Sequence, residues 1–542
     1  MLTFLHQYPS LWPAAFLLLF IPLLWAVPRS RRISAFVERN EPRLLGLWSL
    51  AGLGVFLFCG LACLFCPAFF ELFESCGVSV AHSVFHGGTA YPGISSQERY
   101  CLPYGPVFFL VLGASEWLLG PGTFPSKLPC CLAAIAGIGL FWRILLLRGL
   151  LSAVALALTA LSATTILAFR LPVFWTKSDP LIFLLVIVGI RAAYLGGRAG
   201  PVLLGACAGL AVGLKITAAI YFVPLTVIAA CSGWRRREFL LCGAVLVATV
   251  LLPFVLMPVQ FPWQPYLAFF RTVGREGLAI GPTLNYLRWV AMLSGLVFVG
   301  GRFFRHSTEP YPRRRRLAYF ASLAFSLALV AVPACAVGAY AYHLMPFVPL
   351  AVLSFGNLFD AGQSPAFCPP VQPLWRAAAY AILAACLLVA FQTASQIVSI
   401  LPEEKQVRAC QGDLRQIIAR FPGSAILMGS SKGDEAGLQL RFRHMLVSAG
   451  HPIGLDAAVV SDYQFGGVPD PDLPRLLAEI CQRDPRPVLW LLPHGGVPFT
   501  STNCYDGTLA IYPERFRTDF SERFTLREST AFFDIYLPNR QP

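Results

Sequence analysis

Charged residues are scarce in this sequence of 542 residues: they make up 13% of it, against 56% hydrophobic residues, and the mean hydropathy is +0.64. A soluble domain carries roughly 25% charged residues. The shortage of charge therefore excludes an ordinary soluble globular protein and predicts a polytopic membrane protein.

Acidic residues are scarcer than basic ones, with 28 Asp and Glu against 42 Lys and Arg, which gives a net charge of +14. Much of the basic excess falls in short clusters between apolar runs, at 28–32, 233–238 and 311–316. Clusters of this kind are typical of cytoplasmic loops. Because a nucleic-acid-binding patch needs a folded soluble platform, the distribution argues against nucleic acid as a partner.

Metal and phosphate motifs are also missing. Many of the 16 cysteines lie in apolar segments, where Cys behaves as a small hydrophobic residue, and no spacing resembles a zinc site. The segment GSSKGDEAG (429–437) fits neither the Walker pattern nor GxGxxG, so it is interpreted as a turn. Cys76 and Cys101 share a long polar loop; they form a disulfide if that loop faces an oxidising compartment, or remain two thiols.

The apolar residues are grouped into runs that match a membrane-spanning helix of about 17 to 25 residues. They fill residues 1–400 and predict about 11 to 13 transmembrane helices. The first run, at 11–27, has no basic segment before it and no clear cleavage site after it. It is therefore interpreted as a retained helix and not as a signal peptide.

Orientation follows from the basic clusters, which belong on the cytoplasmic side. Counted from them, the loops 70–105 and 257–287, Lys215, the start of the run 341–357 and everything after residue 400 face outward. The three runs at 104–120, 127–147 and 151–169 do not fit, because both ends of that segment are expected outside. Either one of them is a surface or re-entrant helix, or one run is two segments.

After residue 400 the pattern changes to that of a small α/β domain, 401–542. Apolar runs at 425–430, 486–493 and 532–538 have strand length, and a polar helix-like segment lies at 472–484. Short apolar runs that alternate with amphipathic segments predict one α/β domain of about 140 residues. By the orientation above, this domain is extracytoplasmic.

The polar loop 70–105 carries two acids, Glu71 and Glu74. They share one helix face if the preceding membrane helix continues past Phe70. A partly desolvated carboxylate at the bilayer edge is a competent general base. The alternative is that one of them only caps or solvates the helix end.

Further polar residues are expected at the same surface. Asp179 in TKSDP (176–180) is a helix N-cap, a second acid of the site beside Lys177, or both. Lys215, between two apolar runs, either snorkels or meets an anion. Arg271 and Arg275 bind a phosphate or contact lipid headgroups, and His343 is structural or part of the site.

The ordered segments resemble the GT-C superfamily of integral-membrane glycosyltransferases, in the branch of the protein mannosyltransferases, aminoarabinose transferases and Rgt-like lipopolysaccharide glycosyltransferases. The matching segments follow the acid-bearing loop in order: HGGTAYPG (86–93), LPYGPVFFL (102–110) with Tyr104, KSDP (177–180), GLAVGLKITA (209–218) and YHLMPFVPL (342–350). Together they cover roughly residues 45–360. The extra run at 11–27 precedes this family-like part.

The resemblance implies a polyprenyl-phosphate sugar as donor, membrane lipid as surroundings, and a glycan, lipid or protein acceptor on the outer face. Glu74 best matches the acid that acts as base in the family, Glu71 is second, and Asp179 matches the second acidic position. Family members often carry adjacent acids, whereas Leu72 and Phe73 separate the two here. This departure leaves open which acid acts and whether a divalent metal takes part; no other cofactor is implied.

The expected chemistry is proton removal from an acceptor hydroxyl, with cations stabilising the departing polyprenyl phosphate. Arg271, Arg275 and Lys215 are assigned to that phosphate, and Lys177, His343 and Tyr104 are further substrate-binding residues. A lipid or polysaccharide transporter or flippase with a soluble accessory domain is the alternative. It predicts internal repeats with broken helices in matched positions. A membrane scaffold that only displays the C-terminal domain is a third possibility, and it leaves the polar cluster unexplained.

Overall fold

The computed structural model describes residues 31–93, 96, 98–100, 103–275, 277–303, 313–361, 372–432, 437–467, 473–483, 485–503 and 505–539. The helix predicted over 11–27 and Cys101 of the predicted disulfide lie outside the described residues.

The described part of residues 31–400 is helical. Its α-helices are α1 (Arg31–Phe65), α2 (Leu72–Phe85), α3 (Pro106–Leu119), α4 (Thr123–Leu147), α5 (Ser152–Leu167), α6 (Ser178–Ala193), α7 (Ala199–Leu214), α8 (Val223–Cys231), α9 (Arg236–Leu256), α10 (Trp263–Val273), α11 (Ile280–Phe303), α12 (Arg313–Ala334), α13 (Val348–Ala361) and α14 (Gln372–Ile400). Short 3-10 helices at Leu171–Val173, Ile216–Phe222 and Ala341–Phe347 precede α6, α8 and α13.

Among the described residues, five helical stretches are long and apolar enough to cross a membrane: Arg43–Phe65, Thr123–Leu147, Arg236–Leu256, Leu317–Ala334 and Leu383–Arg420. Several shorter apolar helices accompany them. Large apolar side chains of α9, such as Leu251, Val255 and Leu256, are at least half exposed, which marks a surface that faces lipid. The chain is thus a polytopic helical membrane protein, as the composition predicted.

Helix α3 resolves the count that did not fit between Pro106 and Asp179. It has 14 residues, about 21 Å of helix, whereas the hydrocarbon core is about 30 Å thick. At its start the Gly105 N–H donates to Leu214 O, and just past its end Lys127 donates to Ala68 O. Leu214 and Ala68 both lie next to the polar cluster described below. Helix α3 therefore begins and ends at the same face of the membrane part. The helices α4 and α5 connect that face to the opposite face.

The chain breaks between α1 and α2. The condition under which Glu71 and Glu74 would extend the first membrane helix is not met: α1 ends at Phe65, and α2 begins at Leu72 with Glu71 as its N-cap. Pro67 lies two residues after the end of α1, and its ring and missing N–H prevent the helix from continuing.

The α/β domain holds α15 (Glu404–Arg420), β1 (Ala425–Met428), α16 (Arg443–Ser448), α17 (Ala457–Phe465), α18 (Leu473–Arg483), β2 (Val488–Pro493), α19 (Glu514–Arg523), β3 (Phe524–Ser529) and β4 (Phe533–Pro538). The strand order is β1-β2-β4-β3, with β1 and β2 parallel and the other pairs antiparallel. The three predicted strands and the helix predicted at 472–484 are confirmed. β3 was missed because only Phe524 of this edge strand is buried, so it has no apolar run.

The loops and the α/β domain meet at one side of the helices. Arg99 pairs with the domain through its N–H to Gly454 O (2.9 Å) and its carbonyl to Asp456 N (2.7 Å). The Ala90 N–H donates to Gln260 O at 2.8 Å, which joins the loop 70–105 to the loop 257–287. These three parts of the chain therefore share a side, as the basic clusters predicted.

Candidate active site

Glu74 anchors the start of α2. Its side chain is completely buried. One carboxylate oxygen accepts the N–H groups of Phe70 (2.6 Å) and Glu71 (3.3 Å), and the other accepts the N–H of Thr176 (2.6 Å). A carboxylate in the first turn satisfies amides that have no partner inside the helix, and the helix dipole favours it there. Glu74 thus ties α2 to the segment that leads into α6.

Glu71, one turn earlier, is the more accessible of the two acids. About 32% of its side chain is exposed, and its carboxylate forms an ion pair with the Lys177 ammonium. That ammonium also lies 3.6 Å from the centroid of the Trp175 ring, a cation–π contact. One oxygen of Glu71 is therefore held by a cation, while the side chain remains partly open to its surroundings.

Asp179 does not cap α6. The N-cap is Lys177, and Asp179 lies in the first turn at 1% exposure. Among the described residues its carboxylate accepts no hydrogen bond, and its one ion pair is with Lys215, at 3.6 Å. The interpretation of Asp179 as a helix cap is therefore wrong. A buried carboxylate with so little compensation is unusual and indicates a functional site.

Lys215 and His343 both lie where the apolar segments depart from α-helix. Lys215 ends α7 in an extended conformation and begins the 3-10 helix Ile216–Phe222, while His343 lies in the 3-10 helix Ala341–Phe347. The Lys215 ammonium is 3.5 Å from His343 Nδ1, and only 9% of Lys215 is exposed. The snorkelling interpretation of Lys215 is wrong, because the side chain points to buried polar partners.

Aromatic side chains connect the Glu71–Lys177 ion pair with the Asp179–Lys215 ion pair. The Tyr342 ring stacks on His343 (4.7 Å between centroids) and meets Trp175 edge to face (5.4 Å). The Lys215 ammonium lies 5.5 Å from the centroid of the Tyr342 ring. One continuous cluster is thus formed by the Glu71–Lys177 ion pair, the Trp175 and Tyr342 rings, and the Asp179–Lys215 ion pair.

Tyr104 lies next to the same cluster. It is 6% exposed, and the N–H of the following residue, Gly105, donates to Leu214 O, beside Lys215. Gly105 must be a glycine, because a Cβ there would stand 2.3 Å from Gly213 O. The glycine of the Tyr-Gly-Pro sequence is therefore required by the close approach of α3 to the end of α7.

Arg271 and Arg275 are not joined to this cluster by any contact of the described residues. Both are exposed, near the end of α10. The opposite face of α10 packs on the α/β domain, where the rings of Phe269 and Tyr463 are 5.6 Å apart. The other predicted site residues converge: Glu71, Glu74, Asp179, Lys177, Lys215, His343 and Tyr104.

Three residues that the sequence did not predict hold the turn 66–71, which leads into Glu71. Lys127 donates to two carbonyls of this turn, and Gln411 and Arg441 donate to two others. Lys127 was detectable as a lysine within an apolar stretch, the argument that found Lys215. Gln411 and Arg441 come from the α/β domain, more than 340 residues later in the chain, and nothing in the sequence links them to the loop.

The acids do not form a metal site within the part of the chain that the structure describes. No group of three His, Cys, Asp or Glu side chains there is placed to hold an ion. Both oxygens of Glu74 are occupied by backbone amides. The described acids therefore do not match the ligand set of a divalent metal.

No protein-family model matches the chain, and no curated protein matches it in sequence. Solved structures similar to it include ArnT from Cupriavidus metallidurans bound to undecaprenyl phosphate, with a TM-score of 0.57, and the same protein in the apo state, with a TM-score of 0.55. Each alignment has 14% sequence identity and covers 90% of this chain and 97% of ArnT. The chain has the fold of ArnT.

Proposed function

We propose that this protein is a membrane glycosyltransferase that moves a sugar from a polyprenyl-phosphate-linked donor to a glycan, lipid or protein acceptor. The observation that carries the proposal is the cluster itself, where an accessible carboxylate, Glu71, pairs with Lys177. The rings of Trp175 and Tyr342 link this pair to the second cation, Lys215, which pairs with Asp179. The ArnT-like fold supports it, since one of the similar structures holds undecaprenyl phosphate.

We assign the role of base to Glu71 and a positioning role to Glu74. The resemblance to the family favoured Glu74, but its two oxygens already accept three backbone N–H groups and its side chain is buried. Glu71 has an exposed fraction that an acceptor hydroxyl could approach.

The proposed reaction balances as a displacement at the anomeric carbon. Glu71 takes the proton of the acceptor hydroxyl, and the acceptor oxygen bonds to the anomeric carbon of the sugar. The bond from that carbon to the phosphate oxygen breaks, and polyprenyl phosphate leaves with the electron pair. Lys215 stabilises the negative charge of the leaving phosphate; it is buried next to a single carboxylate, Asp179.

Lys177, Tyr104 and His343 are proposed to shape the pocket for the sugar and the phosphate. Arg271, on α10, and Arg275, two residues after its end, are exposed, so their proposed role is to bind phosphate at the entrance, from the donor or from a lipid headgroup. We place the site on the extracytoplasmic side, because the basic residues 235–237 follow α8, which leads away from Lys215.

One observation favours transport as the second candidate. The two 3-10 helices at Ile216–Phe222 and Ala341–Phe347 have seven residues each, and each is followed by Val-Pro-Leu in an α-helix. Broken helices in matched positions are a feature of secondary transporters. Transport alone, however, gives no role to an acid such as Glu71 at the membrane surface.

The experiment that separates the two uses the full-length protein in lipid vesicles with a labelled polyprenyl-phosphate sugar and a panel of acceptors. A transferase releases free polyprenyl phosphate and a labelled acceptor. A flippase moves the labelled lipid between leaflets and leaves the sugar–phosphate bond intact. Movement of the labelled lipid between leaflets, with the sugar–phosphate bond left intact in the presence of every acceptor in the panel, would contradict the proposal.

A further inference from the structure

The turn 66–71 is held by side chains from three other elements. Four consecutive backbone carbonyls, those of residues 66–69, each accept a hydrogen bond from a distant side chain. Lys127 of α4 donates to the first and third (2.9 and 2.6 Å), Gln411 of α15 to the second (3.0 Å), and Arg441 to the fourth (3.4 Å).

These carbonyls need partners because they follow the last turn of α1, where the helix offers them no N–H groups. Water could serve at an exposed helix end. Here residues 68–70 are buried, so protein donors replace it. Two of the three donors belong to the α/β domain.

The domain also packs on the turn and on the start of α2. The His444 N–H donates to the Ser75 hydroxyl at 3.2 Å, and the His444 ring meets Phe69 edge to face at 4.9 Å. Ala68 and Leu72 are part of an apolar cluster with domain residues such as Leu414. This is a continuous contact between the domain and the segment that carries the acids.

We propose that Gln411 and Arg441 are positioning residues for Glu71, and that the α/β domain is therefore a working part of the site. Gln411 and Arg441 fix the path of the turn through their hydrogen bonds to the carbonyls of Pro67 and Phe69. The inference rests on the proposed function, since it assigns the acid that the domain positions.

A positioning role predicts a kinetic signature that a general loss of folding lacks. A displaced Glu71 slows the chemical step and leaves substrate binding in place, so kcat should fall while KM stays near the wild-type value. Arg441→Lys keeps a donor for Phe69 O, so it should recover most of the lost rate.

The test compares purified full-length variants. Arg441→Gln, Arg441→Lys and Gln411→Ala are measured beside two controls from the same domain: Arg475→Gln, whose side chain is 75% exposed, and Gln416→Ala, on the exposed face of α15. The measurements are kcat and KM, and hydrogen exchange of the peptide 66–75 by mass spectrometry.

We expect Arg441→Gln to lower kcat about tenfold or more, because small misplacements of a catalytic group cost up to about 10²-fold. Its KM should stay near the wild-type value. Gln411→Ala should lower kcat in the same way, and both variants should speed exchange at 66–75. Arg441→Lys should recover most of the lost rate, and the controls should match the wild type.

Wild-type kcat in Arg441→Gln would overturn the proposal, as would a raised KM with unchanged kcat. If Arg441→Gln fails to fold, Gln411→Ala decides by the same criteria. If the wild type transfers no sugar, the proposed function fails, and hydrogen exchange judges the positioning by itself. Unchanged exchange at 66–75 in both Arg441→Gln and Gln411→Ala would then overturn it.

Discussion

At the scale of single residues, the site consists of buried charges that compensate one another in pairs. Lys177 pairs with Glu71, and Lys215 pairs with Asp179. A buried pair contributes little net stability, but removing one partner leaves an uncompensated charge and is strongly destabilising. The pairs are therefore better explained by what the charges do for a substrate than by what they do for the fold.

Asp179→Asn should be damaging, since Asp179 is not a helix cap. The variant leaves the buried Lys215 without its carboxylate, which should cost about 3–5 kcal/mol of unfolding free energy and most of the transfer activity. The double variant Asp179→Asn/Lys215→Met removes both charges, so it should recover stability without recovering transfer. Thermal unfolding and a transfer assay measure the two effects. A silent Asp179→Asn would remove Asp179 from the site.

Asp462 of α17 predicts a pH dependence of stability. Burial raises its pKa to about 7, against the lowering effect of the bond from the Tyr505 hydroxyl (2.5 Å). The folded protein thus holds a proton that the unfolded chain releases near pH 4, so this residue's contribution to stability is full at low pH and falls as the pH rises from about 4 to about 7.

Asp462→Asn keeps an acceptor for Tyr505 and cannot ionise. We expect the variant to be more stable than the wild type at pH 8, by on the order of 4 kcal/mol, and to match it near pH 3. Chemical unfolding at the two pH values measures this. Glu522→Gln, at an exposed position, is the control. A stability gain that is equal at both pH values would show that the ionisation of Asp462 is not the cause.

At the scale of elements, the sequence predicted what depends on local pattern. The strands β1, β2 and β4 are apolar runs with turns at their ends, and α18 has a clear polar face. The run at 104–120 is long enough to suggest a span, but Pro106 starts the helix late and Gly120 ends it early. Only a contact such as that of Gly105 with the end of α7 makes it a surface helix, and such a contact has no local signature.

The breaks in the helices were likewise predictable only where the local sequence marks them. Lys215 was recognisable because a lysine between two apolar runs is costly unless it has a partner. The partner, Asp179, and the neighbour, His343, could be named only as members of the same surface. That they lie within 3.6 Å of the Lys215 ammonium follows from the packing of α6, α7 and the segment before α13, which the sequence does not specify.

At the scale of the whole molecule, the protein consists of a helical membrane part and an α/β domain that meet at the acid-bearing turn. Composition was sufficient to separate these two parts. It could not predict that Gln411 and Arg441 return to the turn at 66–69, because hydrogen bonds across more than 340 residues leave no trace in a single sequence. The domain thus donates hydrogen bonds to the segment that carries Glu71 and packs against it.

The measurement that tests the account most directly is the rate at which purified Glu71→Gln and Glu74→Gln release polyprenyl phosphate from a polyprenyl-phosphate sugar in the presence of acceptor. The amide has the shape of the acid but cannot take a proton, so Glu71→Gln should lose about 10²–10⁴ in rate while keeping its fold. Glu74→Gln should lose stability as well, because the amide nitrogen cannot accept the backbone N–H groups that the carboxylate holds. Glu522→Gln, at an exposed position, should behave as the wild type. Full activity in a folded Glu71→Gln, with loss in a folded Glu74→Gln, would move the base to Glu74; full activity in both would contradict the account.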